Sequence, residues 1–370
     1  MRVALIQTPT APLDLAHTGG LEVTELNELR GLRQRGIETN LYAAKVIGEL
    51  EGVHETRDLG WQNRLLRFYY YARLGRRERR ADILHGHYTP ILALMYPCRS
   101  VVHFQGMAVH EPPLYRHFAR RCHQAHLVFC ARWVRDHHQA LYPAVPEEHR
   151  HVVHNGVDER TFAPPATPRP EGEKTKLVFY GGWLPSKGIY ELLRAAALLE
   201  SKRQDFELHF GGSAFSHYRR PESEEIDRRV REMAEPLSTV KLIGHIPHEQ
   251  LPALLQTMDI GVVPSTYEDP FPLVPLEMMA CGLPVVAFAV GGLKEALLDG
   301  QTGFLVENRN VAALARALET LIDNHQLRLQ MGANARRHVE QHFTWDRHVD
   351  QLLTIYEQII RRNRDATRRH

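Results

Sequence analysis

No apolar stretch in the chain approaches the roughly 20 residues that a membrane-crossing helix requires, so a helical span is excluded. Cysteine is scarce as well. The four (Cys98, Cys122, Cys130, Cys281) show neither paired metal spacing nor a disulfide framework, and they read as reduced thiols of a cytoplasmic protein. Excess charge of one sign is also lacking. The 46 Lys and Arg stand against 44 Asp and Glu, a formal net charge of +2, whereas a dedicated nucleic-acid binder carries a large basic excess. There is no internal repeat and no low-complexity tract. The opening MRVALIQTP has too short an apolar run for a signal peptide and reads as a first strand. What remains is an ordinary globular composition. At 370 residues it exceeds the usual single core, so two domains are expected.

The most informative stretch covers residues 259–306. A short apolar strand, residues 260–263, ends in Pro264-Ser265, and a polar loop then leads into an apolar helical run over 273–280. Cys281-Gly282-Leu283-Pro284 stops that helix, as Gly and Pro do. A continuously apolar run, 285–290, has the pattern of a strand buried on both faces of a parallel sheet. Gly291-Gly292 then opens another helix. This order puts two helix N-termini and a Gly-Gly turn on one sheet edge, where free N–H groups favour an anion. Glu268, Asp269 and Glu277 lie in or just after the loop. Carboxylates beside a phosphate site suit sugar hydroxyls, as an acidic residue does for ribose in dinucleotide folds. A nucleotide-sugar site follows.

These residues resemble the donor-binding signature of the family 4 retaining glycosyltransferases of GT-B fold. In that family two acidic residues separated by seven others bracket a Phe-Gly-Leu-Val-like loop. Asp269 and Glu277 have that separation around Phe271, Pro272 and Leu273. Asp replaces the usual first Glu and Pro272 the usual Gly, and Glu268 fills the first role if the loop is re-registered. Gly291, Gly292 and Glu295 match the Gly-Gly-x-x-Glu segment, and Asp299, Gly300 and Gly303 the turn after it. The resemblance spans nearly the whole chain and is most specific in its C-terminal half.

Earlier in the chain, residues 3–6 read as a strand, followed by a Gly-containing loop and an amphipathic helix from about Glu22 to Arg35, stopped by Gly36. The resemblance places Gly19 and Gly20 at the donor phosphates. Residues 61–80 (WQNRLLRFYYYARLGRRERR) interleave seven arginines with aromatics. Either the segment is an interfacial helix, touching a membrane or anionic acceptor through Trp61, Arg64, Arg67, Arg73, Arg76 and Arg77, or its aromatics pack inward and its arginines are solvated. The second reading is preferred. The strand DILHGH puts His85 and His87 on one face. With no third ligand at a sensible spacing, they read as a polar strand-end lining and not as a metal site. In VVHFQG, Gln105 stands where the family often has a His near the reacting carbon. His103 and Gln105 are therefore cleft candidates, with His110 in the loop beyond.

Residues 152–162 resemble the family's Asn-Gly-Val-Asp segment, through Asn155, Gly156, Asp158 and Phe162, and prolines 164, 165, 168 and 170 mark a linker. Three parts are expected: 1–164, 165–342, and a C-terminal helix over 343–370 that returns to the first domain, ending in a solvated basic tail. The second domain opens with a strand and a glycine turn (Gly181, Gly182) before Lys187, a point charge for phosphate. The family's Arg after the first Gly is replaced by Gly182, and Lys294 is a candidate substitute. The resemblance places His245 and Ile246 as candidates beside the nucleobase.

The fold class is therefore α/β, two Rossmann-like doubly wound domains in the GT-B arrangement, facing across a cleft. The resemblance implies transfer of a sugar from a nucleoside-diphosphate sugar (UDP or GDP) to a glycan, lipid-linked or small-molecule acceptor, in polysaccharide biosynthesis for example. A front-face reaction is implied, needing neither cofactor nor metal, in a cytoplasmic protein with or without peripheral contact at the inner membrane face. Two rivals stay open. One is a GT-B nucleotide-sugar epimerase, and the other a non-catalytic sugar-nucleotide-binding scaffold.

Overall fold

The computed structural model describes residues 1–7, 13–14, 19–43, 45–56, 64–106, 122–167, 174–215 and 222–368. No helix in these residues is long and apolar enough to cross a membrane. The chain divides into two compact units, 1–156 with 345–370 and 157–344.

The first unit is built on strands β1 (Arg2–Ile6), β2 (Glu38–Ala43), β3 (Val53–Glu55), β4 (Ile83–His87), β5 (Ser100–Phe104), β6 (His126–Phe129) and β7 (Arg150–Val152). They form one parallel sheet in the order β3-β2-β1-β4-β5-β6-β7. Alternation along β1 divides its side chains between two cores. Val3 and Leu5 face helix α1 (Gly20–Gln34) and the C-terminal helix, with Leu26, Leu29 and Leu32 meeting Val349, Leu352 and Ile359. Ala4 and Ile6 face the opposite layer, where helix α2 (Arg64–Arg77) contributes Tyr70, Tyr71 and Leu74. Each such side chain is worth about 1.5–3 kcal/mol when fully buried, so both faces of the sheet are covered by apolar residues, as parallel sheets require.

The arginine- and aromatic-rich segment is thus a covering helix. Tyr70 and Tyr71 are buried, Arg73, Arg76 and Arg77 are exposed, and the Arg77 guanidinium sits 5.3 Å from the centre of the Tyr42 ring. Trp61 and the side chains of Arg64 and Arg67 lie outside the described residues.

The second unit carries strands β8 (Thr175–Phe179), β9 (Phe206–Gly211), β10 (Val240–Gly244), β11 (Ile260–Val263), β12 (Val285–Phe288) and β13 (Gly303–Val306). Their order is β10-β9-β8-β11-β12-β13, all parallel. Helices α3 (Ile189–Glu200), α4 (Val274–Ala280), α5 (Leu293–Ala296), α6 (Val311–Asp323) and α7 (His325–His342) follow in this unit, with Asn310 and Asn324 capping the last two. Helix α8 (Trp345–Arg368) belongs to the first unit.

One boundary differs from expectation. The first unit ends at Gly156 and not near the prolines. Val157 N–H donates to the Phe343 carbonyl (2.9 Å), and one Arg336 nitrogen donates to the carbonyls of Glu159 and Phe162 (2.8 Å each), so the segment before the prolines is already held by the second unit. The basic tail is solvated as expected, with Arg361, Arg362, Arg364 and Arg368 exposed, but it is helical and anchored. Helix α8 runs through it, the Asn363 amide donates to the Cys98 carbonyl (2.6 Å), and Arg362 pairs with His149.

Candidate functional site

In the second unit the sheet reverses its winding between β8 and β11, and in such sheets the crevice at the carboxyl ends of the strands is the ligand position. The loops leaving β8, β11 and β12 carry most of the residues singled out in the sequence.

Lys187 ends a short turn, Pro185–Lys187, and is followed by Gly188 in a left-handed conformation with φ of 71°. A Cβ at Gly188 would stand 1.7 Å from the Pro264 carbonyl oxygen, so only glycine lets this turn lie against the end of β11. The Lys187 ammonium donates to Asp269 Oδ2 (2.8 Å) and to the Tyr267 hydroxyl (3.0 Å), and Tyr267 donates to the same carboxylate oxygen (2.6 Å). Burial works against the Lys187 charge, but Asp269 and then Tyr267 outweigh it and raise its pKa. Burial pushes the Tyr267 phenol to about 12, with the Lys187 charge opposing. Asp269 is 5% exposed. The result is one fixed cation with a buried carboxylate as its counter-charge.

Glu277 lies in the first turn of α4, with 6% exposure. Its Oε2 accepts from the Tyr180 hydroxyl (2.6 Å), and its Oε1 pairs with His248 Nε2 (2.9 Å). Burial, reinforced by Glu277, raises the Tyr180 pKa, and the hydrogen bond to Glu277 raises that of His248. Burial, then Glu277, lifts the Cys281 thiol to about 12. A carboxylate has about four lone-pair positions, so two acceptor directions of Glu277 remain. The sequence reading missed Tyr180, His248 and Tyr267. Only Tyr180 carried a signal, its place just before Gly181.

The Gly291-Gly292 turn packs on the loop after β11. Gly291 has φ of 46°, and a Cβ there would lie 2.2 Å from the Asp269 carbonyl oxygen. Gly292 N–H donates to that carbonyl (2.8 Å), and Gly291 N–H donates to the Glu268 carboxylate. Glu268 is thus an anion already seated on the Gly-Gly turn and is not free for a sugar. The helix opened by this turn is only four residues long, so its N–H groups matter more than its dipole. Lys294 is exposed on it. Phe271 is 4% exposed and packs on Phe343 (ring centroids 5.4 Å apart), while Pro272 and Leu273, both partly buried, lead into α4. Gly181, Gly182, His245 and Ile246 meet, with Tyr180 and Gly212, around a pocket of about 170 Å³.

In the first unit Gly19 caps α1 and Gly20 is its first residue. Gln105 is partly buried just past β5. His103, a cleft candidate from sequence, has no exposed surface, and neither do His85 and His87, which were expected to line a strand end. The shared face was read correctly, but α1 and α8 cover it. Glu28 of α1 pairs with His87 Nε2 (3.0 Å) and with His348 Nε2 of α8 (3.0 Å). His110 lies outside the described residues.

Two family models share most of the chain. The model described as Glycosyltransferase Family 4 matches residues 18–161, and the one described as Glycosyl transferases group 1 matches 162–338. The D-inositol 3-phosphate glycosyltransferase of Corynebacterium kroppenstedtii is 36% identical over 234 residues, 60% of this chain. The match spans half the length of that relative, 50%. A glycosyltransferase of Rickettsia africae has the same fold, with a TM-score of 0.81 at 18% identity, over 97% of this chain and 99% of that one. Anabaena HepE, crystallised with UDP, superposes with a TM-score of 0.73 at 18% identity, covering 97% of this chain and all (100%) of its own. Sequence models and fold agree, and the chain belongs to the GT-B glycosyltransferases.

Proposed function

We propose that the protein transfers a sugar, with retention of configuration, from a nucleoside-diphosphate sugar to an acceptor hydroxyl. The observation that carries this reading is the joining of Lys187, Asp269 and the Gly291-Gly292 turn at one end of the sheet, with Glu277 in the first turn of the helix that follows the Asp269 loop. The diphosphate is read as binding to the Lys187 ammonium and to Gly291 N–H, displacing the Glu268 carboxylate that occupies that donor. Glu277 holds the ribose hydroxyls, its position set by Tyr180 and His248. Asp269 faces the transferred sugar.

In this reading the bond between the anomeric carbon and the diphosphate breaks, and the acceptor oxygen bonds to that carbon on the same face. The acceptor proton passes to a phosphate oxygen of the leaving group. Lys187 and the turn stabilise the charge that grows on the diphosphate, so neither a protein base nor a metal is required. UDP is the first nucleotide to try, because the neighbour HepE is crystallised with it and with UDP-glucose.

The test is thermal unfolding with UDP, GDP, ADP and dTDP, with Lys187→Ala and Glu277→Ala as controls, followed by donor hydrolysis. A ligand that binds only the folded state must raise the unfolding temperature. One nucleotide should do so in the parent and fail in both variants, and the hydrolysed sugar should keep its anomeric configuration by NMR. No shift with any nucleotide would overturn the reading, and an epimerised free nucleotide sugar would replace it with the epimerase.

A further inference from the structure

The buried face of the first unit holds an unusual group of side chains. His85 and His87 on β4, His103 on β5 and Glu28 on α1 each offer one ligand atom, and these four atoms lie within 4.8 Å of one another. The register of the sheet pairs His87 with His103, which supplies the third imidazole that spacing along the chain does not show. All four residues have no exposed surface. His348 of α8 adds a fourth ring, 5.8 Å from that of His103.

The hydrogen bonding of this group does not close. His85 Nε2, His87 Nδ1 and His103 Nδ1 are buried without a hydrogen bond among the described residues, in an interior where an unpaired polar atom costs about 1–3 kcal/mol. His103 Nδ1 stands 3.2 Å from Glu28 Oε1 without the alignment of a hydrogen bond. His348 Nδ1 faces the His154 carbonyl oxygen (2.8 Å) and must donate to it, so in a neutral ring its Nε2 lone pair points at Glu28 Oε1, 3.0 Å away. Two lone pairs facing each other at that distance need either a proton between them or a cation beside them.

A divalent ion would supply that cation and also engage the unpaired histidine nitrogens. Two ligands of one tetrahedral zinc, with bonds of about 2.0–2.1 Å, stand roughly 3.3 Å apart, close to the His103–Glu28 separation. Nitrogen ligands with one carboxylate suit zinc among the common divalent ions. Outer partners are present too. His85 Nδ1 is hydrogen-bonded to the Tyr356 hydroxyl, and the Gln105 amide lies 2.9 Å from His103 Nε2. Such partners fix the ring orientation of a ligating histidine.

We propose that Glu28, His85, His87 and His103 form a structural zinc site that ties β4 and β5 to α1. The site is closed, since every ligand is buried, and it therefore supports the fold and does not act on substrate. It is independent of the transfer reaction and of the nucleotide site.

The test uses the full chain without a histidine tag, produced in zinc-supplemented medium and dialysed. Zinc is measured by plasma mass spectrometry, cobalt replacement is followed by the visible spectrum, and unfolding is compared before and after chelation. About one zinc per chain is expected, with tetrahedral cobalt bands and a lower unfolding temperature in the stripped protein. His85→Ala and His103→Ala should lose the metal. The double variant His126→Ala/His151→Ala, which removes a separate, partly buried histidine contact (2.9 Å) between β6 and β7, should keep it. Stoichiometry below about one-tenth per chain in the folded parent would overturn the proposal. So would loss of zinc from the His126/His151 variant alone. The parent's metal content and cobalt spectrum decide the matter even where a ligand variant fails to fold.

Discussion

Glu25 offers a quantitative test of how the first unit is assembled. It lies on α1 with no exposed surface, and neither carboxylate oxygen has a hydrogen bond among the described residues. Burial, only partly offset by His87, raises its pKa from 4.5 to about 8. The sign follows from which state holds the proton. Below the unfolded value the side chain is protonated in both states and costs nothing. As pH rises past that value the unfolded chain ionises while the folded chain does not, so stability falls until the pH reaches the folded value. Between pH 5 and pH 8 this single group should remove roughly 3–4 kcal/mol. Glu25→Gln keeps the shape and abolishes the titration. Urea unfolding of parent and variant should be followed from pH 5 to pH 8 in the presence of a chelator, so that no bound ion contributes. The two proteins should be close in stability at pH 5, with the variant increasingly the more stable as pH rises. An offset that stays constant across the range, or that shrinks, would refute the argument that Glu25 is held protonated by burial.

Three further outcomes are expected. Tyr180→Phe leaves Glu277 Oε2 without its donor, so it should destabilise the protein by about 1–3 kcal/mol and weaken nucleotide binding; an unchanged unfolding temperature would count against the contact. His248 has a raised pKa because of Glu277, so its contribution is complete below the ordinary histidine value of about 6.5 and is lost as pH rises through the folded value. The gap in unfolding temperature between parent and His248→Gln should narrow over that window, and a gap independent of pH would exclude the ion pair. Glu268→Ala frees Gly291 N–H, so UDP should bind several-fold more tightly in a calorimetric titration; weaker binding would restore Glu268 to the sugar contact.

What could be read from the sequence, and what could not, divides along a physical line. Strands β8, β11 and β12 were legible because a strand covered on both faces must be apolar throughout, and such runs bounded by Gly and Pro have few other readings. Lys187 was singled out by the glycine turn before its helix, Glu277 by a resemblance to a family motif, and the close backbone approach at Gly291-Gly292 explains why glycine stands there. Tyr180, His248 and Tyr267 were not, because each reaches its carboxylate or ammonium partner from a different loop or strand end, and no local pattern marks such a meeting. The histidines of β4 and β5 show the limit most clearly. Period-two alternation correctly put His85 and His87 on one face, yet whether that face meets solvent or core depends on α1, which precedes them by more than a helix length, and on α8 at the far end of the chain. Alternation says which side chains point together; only the elements packed across them decide what they point at. For the same reason a buried carboxylate such as Glu28, which reads as one more helix residue in the sequence, becomes the centre of the first unit once four imidazoles from three other elements are folded around it.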